Sequence, residues 1–466
     1  MRAAGSDRTN VYRREEGILP GIIARLTGWV VGVYYDFERE GTPLPTGPVL
    51  VVANHPNALV DPIVVFRTAR RVVRPLAKAP LFEQALLGSV LRGLGGLPVY
   101  RRQDDPALVH LNETTFDLAI AALHRGEAVQ IFPEGQSHSE PRLTPLRTGA
   151  ARIALLAEDR AGWTLGLQVV PVGLTNVRKH LFRGRALATV GGPFGVSPWR
   201  EAYAADPQEA ARLLTDEITR RLQEVTLNLE DARDRALVEV AERLYVREKG
   251  WVRWRERERL GERLPRLQAF ARGVSWLRAQ DPRRHAALVR DVERYGKLLA
   301  VFGAEEGDVP PRYAAGPVLG YALAQASTLL LLALPAAAGV VSWWLPYQAP
   351  RVTVRLVRPT LDAVATYKLA TALFAFPVTG ALWALLAWWW GGREWALAAA
   401  VGLPLSGAAA IAFVERARVV REDLRVFLRA RRSGEGAGRL AGIRARLVEE
   451  FDRVAEEMTS DAPPAG

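Results

Sequence analysis

A base and an acid lie close together in Asn54-His55-Pro56-Asn57-Ala58-Leu59-Val60-Asp61-Pro62, directly after the apolar, β-branched run Pro48-Val49-Leu50-Val51-Val52-Ala53. Such a run predicts a buried strand. Pro56 cannot extend a β-ladder but fits the first turn of a helix. A strand-to-helix turn would then present His55, with Asp61 following within two helical turns. Imidazole titrates near neutrality and can take a proton from a reacting hydroxyl. A carboxylate beside it fixes its tautomer and stabilises its protonated form. Taken alone, the stretch fits equally a histidine that merely caps a helix.

Three further clusters carry chemistry. In Gly95-Gly96-Leu97-Pro98-Val99-Tyr100-Arg101-Arg102 the glycines make a turn, 97–100 reads as a strand, and two arginines close it. The arginine fork matches phosphate oxygens; Arg101 is the candidate and Arg102 reads as a surface charge. Residues 128–132 read as another strand, ending in Pro133-Glu134-Gly135-Gln136-Ser137-His138. A tight turn just past a strand is where open α/β sheets place ligand groups. A helix starts near Gly149, and its amino end with Arg147 suits an anion. His138 reads as a solvated loop histidine. A further strand at 165–172 is interrupted by Pro171 and Gly173.

These groups must be positioned by strands interleaved with helices over residues 18–230, which predicts an α/β domain. It opens with an apolar helix at 18–35, broken by Arg25. That helix is expected to lie in a membrane interface with Trp29, Tyr34 and Tyr35 at headgroup depth. An amphipathic helix at 206–229 closes the domain.

Residues 20–230 resemble the glycerolipid acyltransferase family, which includes the glycerol-3-phosphate and lysophosphatidate acyltransferases. The family's first motif is a histidine, four residues and an aspartate; here five residues separate His55 from Asp61. The added residue is expected to rotate the acid relative to the base. The second motif resembles Gly95 to Arg101, the third Phe132-Pro133-Glu134-Gly135 with Ser137 and Arg147, and the fourth Val170-Pro171-Val172-Gly173. The resemblance implies a sheet flanked by helices and an O-acyltransferase. It would move a fatty acyl group from acyl-CoA or acyl carrier protein to a glycerol-phosphate-type hydroxyl in phospholipid synthesis. His55 would be the general base and Asp61 its orienting acid, with Arg101 on the phosphate. Glu134 would hydrogen-bond an acceptor hydroxyl or fix the arginine, and N–H groups near Gly135 would meet the oxyanion. Gly135, Ser137 and Arg147 complete the expected substrate contacts. The alternatives are a lysophospholipid-remodelling acyltransferase and a non-catalytic lipid-binding or transport protein on the same fold.

The 466 residues carry 62 Lys and Arg against 50 Asp and Glu, net +12, which suits an anionic membrane surface or nucleic acid. The absence of cysteine excludes disulfides and Cys-ligated metals. The six histidines are scattered, so neither a metal nor a cofactor beyond the acyl donor is expected. Residues 1–17 are polar and lack the pattern of a secretory signal. Residues 231–315 hold 19 basic and 14 acidic residues. Interspersed charge with no nucleic-acid motif predicts solvated helices near anionic lipid rather than a nucleic-acid partner.

Beyond them lie uncharged runs at 316–346, 369–392 and 395–414. The tryptophans at 383 and 388–390 suit a membrane interface. Arg351, Arg355, Arg358 and Lys368 between the runs, and the arginine-rich 415–466, both belong in the cytoplasm by the positive-inside rule. This predicts a short hairpin or bent span at 316–346, a transmembrane hairpin at 369–414 and a basic cytoplasmic tail. The expected site is the cell (inner) membrane, with the catalytic domain on its cytoplasmic face.

Overall fold

The computed structural model describes residues 19–101, 105–140, 142–177, 179–229, 231–248, 258–301, 315–432 and 435–461. The polar start (1–17), Arg102, the tryptophan–arginine run at 251–257 and residues 462–466 lie outside these. Two compact units form. One comprises Met1–Ala232, Arg257–Ala269 and Leu361–Thr366; the other comprises Arg233–Glu256, Phe270–Thr360 and Tyr367–Gly466.

In the first unit the chain runs α1 (Leu19–Tyr34), β1 (Tyr35–Gly41), β2 (Val49–Ala53), α2 (Val60–Ala69), β3 (Val73–Lys78), α3 (Pro80–Glu83), α4 (Ala85–Gly93) and β4 (Leu97–Val99). It continues through α5 (Asn112–His124), β5 (Ala128–Ile131), α6 (Gly149–Arg160), β6 (Gln168–Val177), β7 (Gly184–Val190), β8 (Phe194–Gly195), α7 (Arg200–Ala205) and α8 (Pro207–Val225). The strands form one sheet in the order β1-β7-β6-β2-β5-β3-β4, with β8 on β6. From β6 to β4 every pairing is parallel; β7 is antiparallel to β6. This is the expected α/β sheet flanked by helices.

Every residue of β2 is buried, as its unbroken apolar run requires for a central parallel strand. Val52 lies opposite both Ile131 and Pro171, so β2 and β5 end level and release their following loops at one edge, while β6 runs on beside them to Val177. The core beneath is built from these strands, α5, α6 and α8. The Asp206 carboxylate caps α8 by accepting the Gln208 and Glu209 amides.

Strand β6 runs through Pro171 and Gly173 instead of breaking there. Pro171 falls between the β8 ladder, which ends at Val169, and the β7 ladder, which begins at Val172, so its missing N–H leaves no gap. At Gly173 an added Cβ would lie 1.9 Å from the Val225 carbonyl, so glycine lets the end of α8 seat against the sheet. Helix α1 departs from the expectation in part. Ile22, Leu26 and Trp29 are exposed, but Tyr34 and Tyr35 are buried in the domain. The Arg67 guanidinium donates to the Gly28 carbonyl at 2.7 Å and ties α1 to α2.

The second unit contains α9 (Ala232–Glu248), most of α10 (Leu260–Gln280), α11 (Pro282–Val301), α12 (Ala315–Val357), α13 (Val364–Arg432) and α14 (Glu435–Ser460). Helix α14 is no free tail. Leu447, Val448, Phe451 and Val454 are buried, Phe451 meets Phe270 edge-on, and Arg284 of α11 bonds Glu457 at 2.6 Å. The buried Asp234 accepts from Arg278 at 2.6 Å and pairs with His285 at 3.2 Å.

Helix α12 is continuous through Pro335, so the short hairpin at 316–346 does not form and a single long helix stands in its place. Helix α13 breaks at Gly391–Gly392, whose backbone angles are non-helical, just before Arg393-Glu394. Leu323–Val357 and Val364–Arg418 are long and apolar enough to cross a membrane. Leu330, Leu331, Leu334, Trp389 and Trp390 stand almost fully exposed. An apolar helix that buries so little against protein suits lipid as its solvent. The two segments also touch each other. The Trp343 indole donates to the Leu403 carbonyl at 3.0 Å, and Gly339 allows the Ser406 backbone to pack against it.

Candidate active site

The loop after β2 folds back so that base and acid meet. Helix α2 begins only at Val60, not at Pro56. Ala58 takes a left-handed φ of 41°, and the Val60 and Asp61 amides bond the Asn57 and Ala58 carbonyls. That turn absorbs the additional residue, so the expected rotation of the acid away from the base does not occur. His55 Nδ1 lies 2.9 Å from Asp61 Oδ2, which also accepts the Asn57 amide at 2.6 Å. With Nδ1–H directed at the carboxylate, Nε2 keeps the lone pair that a base needs. The His55 ring stacks on Phe132, with centroids 4.1 Å apart and planes 13° apart. Its side chain is 17% exposed, while that of Asp61 is 1% exposed. Burial pushes the Asp61 carboxyl pKa up, against the opposing bonds from His55 and the Asn57 amide.

Glu134 braces this pair from behind. Its side chain has no exposed surface. It accepts the His55 amide at 2.8 Å on one oxygen, and the Thr144 amide and hydroxyl, each at 2.9 Å, on the other. That second oxygen also pairs with His138 Nε2. The His138 amide returns a bond to the His55 carbonyl at 3.1 Å, so both backbone groups of His55 are fixed. Burial alone would raise the Glu134 pKa, but the bonds from His138, Thr144 and His55 outweigh it and hold the carboxyl below its ordinary value. The same bond raises the His138 pKa. Glu134 therefore faces the protein and not an acceptor hydroxyl, and His138 is no solvated loop residue.

The two expected arginines converge on the adjoining glycine. Arg101 Nη1 donates to the Gly135 carbonyl at 3.1 Å. The Arg147 guanidinium lies where a Gly135 side chain would project, with Nε 2.7 Å from an ideal Cβ. Gly135 has φ 74°, and its amide is bonded to the Phe132 carbonyl at 3.0 Å, which removes it from the expected oxyanion donors. Ser137 Oγ donates to Asp362 Oδ2 at 2.5 Å. His55, Asp61, Glu134, Gly135, Arg101 and Arg147 thus belong to one connected edge of the sheet.

Further residues share that edge. Asn57 Nδ2 donates to the Tyr35 hydroxyl at 2.9 Å, and Tyr35 donates to the Lys179 carbonyl at 2.6 Å. Lys179 Nζ bonds the Pro56 carbonyl and the Ser139 hydroxyl. Asn54 clasps the Leu174 amide and carbonyl, at 2.7 and 3.0 Å, and so joins the end of β2 to β6. The Asn54–His55 neighbourhood contained the signal for Asn54; nothing local to Lys179 or Tyr35 marked them.

The acyltransferase family model matches residues 37–175. Over 135 residues, 29% of this chain, the sequence is 38% identical to glycerol-3-phosphate O-acyltransferase 2 of Saccharomyces cerevisiae, and covers 18% of that protein. It is 26% identical over 203 residues to 1-acyl-sn-glycerol-3-phosphate acyltransferase of Bacillus subtilis, 42% of this chain and 88% of that one. An uncharacterized acyltransferase of Schizosaccharomyces pombe is 24% identical over 465 residues, spanning 77% of this chain and 67% of that protein. The chain thus spans under a fifth of the length of the Saccharomyces relative it matches. Residues 37–175, which contain the histidine–aspartate pair and both converging arginines, thus form an acyltransferase domain similar to those of glycerol-3-phosphate and 1-acylglycerol-3-phosphate acyltransferases.

Proposed function

We propose that this protein transfers a fatty acyl group from an acyl thioester, acyl-CoA or acyl carrier protein, to a hydroxyl of a glycerol-phosphate-type acceptor such as glycerol-3-phosphate or lysophosphatidate. The observation that carries the reading is the 2.9 Å contact between His55 Nδ1 and a buried Asp61, with the imidazole still partly accessible. His55 Nε2 takes the acceptor's hydroxyl proton as its oxygen attacks the thioester carbonyl. The C–S bond then breaks, and the imidazolium returns the proton to the departing thiolate. Asp61 orients the ring and offsets its charge. Arg101 and Arg147, meeting at Gly135, supply a paired cationic seat for the acceptor phosphate. Lipid product and acyl chain both favour a bilayer, which the apolar helices α12 and α13 would provide.

The test is acyl transfer by the full-length protein in lipid nanodiscs, with radiolabelled acyl-CoA or acyl carrier protein and a panel of acceptors. His55→Ala is expected to lower kcat by on the order of 10³-fold. Equal rates in the two proteins would reject His55 as the base.

A further inference from the structure

Ser137 sits in the middle of the loop that builds the site. Two residues before it, Gly135 meets Arg101 and Arg147. The next residue, His138, grips Glu134 with its ring and the His55 carbonyl with its amide. The partner of Ser137 comes from far along the chain. Its hydroxyl donates to Asp362 at 2.5 Å across 225 positions. Asp362 lies in the short connection between α12 and α13, two residues before α13 begins. The segment Leu361–Thr366 belongs to the acyltransferase unit, although most of the two helices it joins does not. Val364 and Ala365, the first residues of α13, are buried, Ala365 completely. The connection is therefore seated in the domain and does not simply pass over it.

We propose that Asp362 is a positioning residue for acyl transfer. Its carboxylate, through the Ser137 hydroxyl, holds the 135–139 loop against His55 and so makes the link between the two apolar helices part of the active-site framework. A carboxylate accepting a hydroxyl proton gives a short, charge-assisted bond, which suits a fixed loop better than a neutral partner would. The consequence is a coupling of membrane anchorage to catalysis: displacing the connection frees the loop that fixes both backbone groups of His55. The inference rests on the acyl-transfer reading for its kinetic arm, but not for its structural arm.

In the kinetic arm, Asp362→Ala and Ser137→Ala are each expected to lower kcat about tenfold, with KM for donor and acceptor within about twofold, because misplacement affects the reacting geometry more than ground-state binding. The double variant should be no slower than the worse single one, since both remove one bond. Asp362→Asn, whose amide oxygen still accepts, should recover most of the rate. A wild-type rate for Asp362→Ala, or losses that multiply in the double variant, would overturn the proposal. In the structural arm, the natural chain has no cysteine. Ser137→Cys with Asp362→Cys therefore creates the sole thiol pair, which a short bis-methanethiosulfonate reagent should bridge within one chain in native membranes. Absence of that bridge overturns the proposal even if acyl transfer is robust. If wild-type protein transfers no acyl group, the functional reading fails and the bridge alone decides where Asp362 lies.

Discussion

Asp61 is enclosed by protein, and its enclosure acts in opposite directions on stability and on chemistry. Burial raises its carboxyl pKa above the ordinary value, despite the bonds from His55 and Asn57. Folding therefore favours the protonated form. That share of stability is complete below the unfolded carboxylate pKa and is lost as the pH rises through the raised folded value. Above that value the ionised group costs stability, a cost the acyl-transfer proposal accounts for, since a neutral partner would not hold imidazolium. Asp61→Asn is expected to leave the thermal midpoint at pH 7 unchanged or higher, while kcat falls by on the order of 10³–10⁴-fold. Melting and steady-state kinetics on one preparation check both halves; a large drop in midpoint with kcat intact would reverse the assignment.

At the scale of elements, the site depends on the parallel strands β2 and β5 ending level beside β6, which runs on past them. His55 follows β2, Glu134 follows β5, and Asn54 reaches across to β6, so ladder register alone brings residues far apart in sequence to one edge. The turn from β2 into α2 is where the chain carries one more residue than the family motif, and Ala58 accommodates it with φ 41°. A left-handed alanine is strained by its Cβ, whereas glycine is not. Ala58→Gly is expected to stabilise the protein by about 0.5–1 kcal/mol, after allowing for the greater freedom of glycine in the unfolded chain. Denaturant midpoints measure this, and kcat should be retained if the turn keeps its geometry. A destabilised variant would show that Ala58 is held by packing and not tolerated under strain.

For the whole molecule, one packing bears on how the chain would meet a bilayer. Helices α11 and α14, which precede and follow the apolar region, are joined by Arg284 to Glu457. Where the apolar helices between them cross a bilayer, this pair requires α11 and α14 to share one side of it. The α12–α13 connection itself is bound within the first unit through Ser137 and Asp362. The break at Gly391–Gly392 divides α13 into two arms, each long enough to cross a bilayer at about 1.5 Å per residue. Single thiols introduced by Asp362→Cys, Arg393→Cys and Ser460→Cys, probed with an impermeant maleimide in sealed vesicles, should divide accordingly. By the basic charge that flanks the apolar runs, those at 362 and 460 should react from one face and that at 393 from the other. Reaction of the 460 thiol from the same face as 393 would mean an odd number of crossings.

Much of this was written locally. Short-range signals settled the β2 strand, the turn that presents His55, the Pro133-Glu134-Gly135 turn, Arg101 at a strand end and the apolar runs, because a strand's burial, a proline's missing N–H and a glycine's φ are properties of neighbouring residues. The charge pattern likewise suggested that both basic segments share one face. What the local signals could not supply was the direction of each side chain. Glu134 looked like a substrate contact and is an internal brace. His138 looked solvated and holds that brace. Tyr35 looked interfacial and supports Asn57. Ser137 found its partner 225 positions away. The strand through Pro171 and the continuation of α12 past Pro335 were also decided in three dimensions, the first by neighbouring ladders that ask for no N–H at Pro171. Sequence chose the groups and their chemistry; which of them stand open at the sheet edge and which hold that edge in place was decided by burial, since each enclosed charge had to find partners that only the folded chain brings within reach.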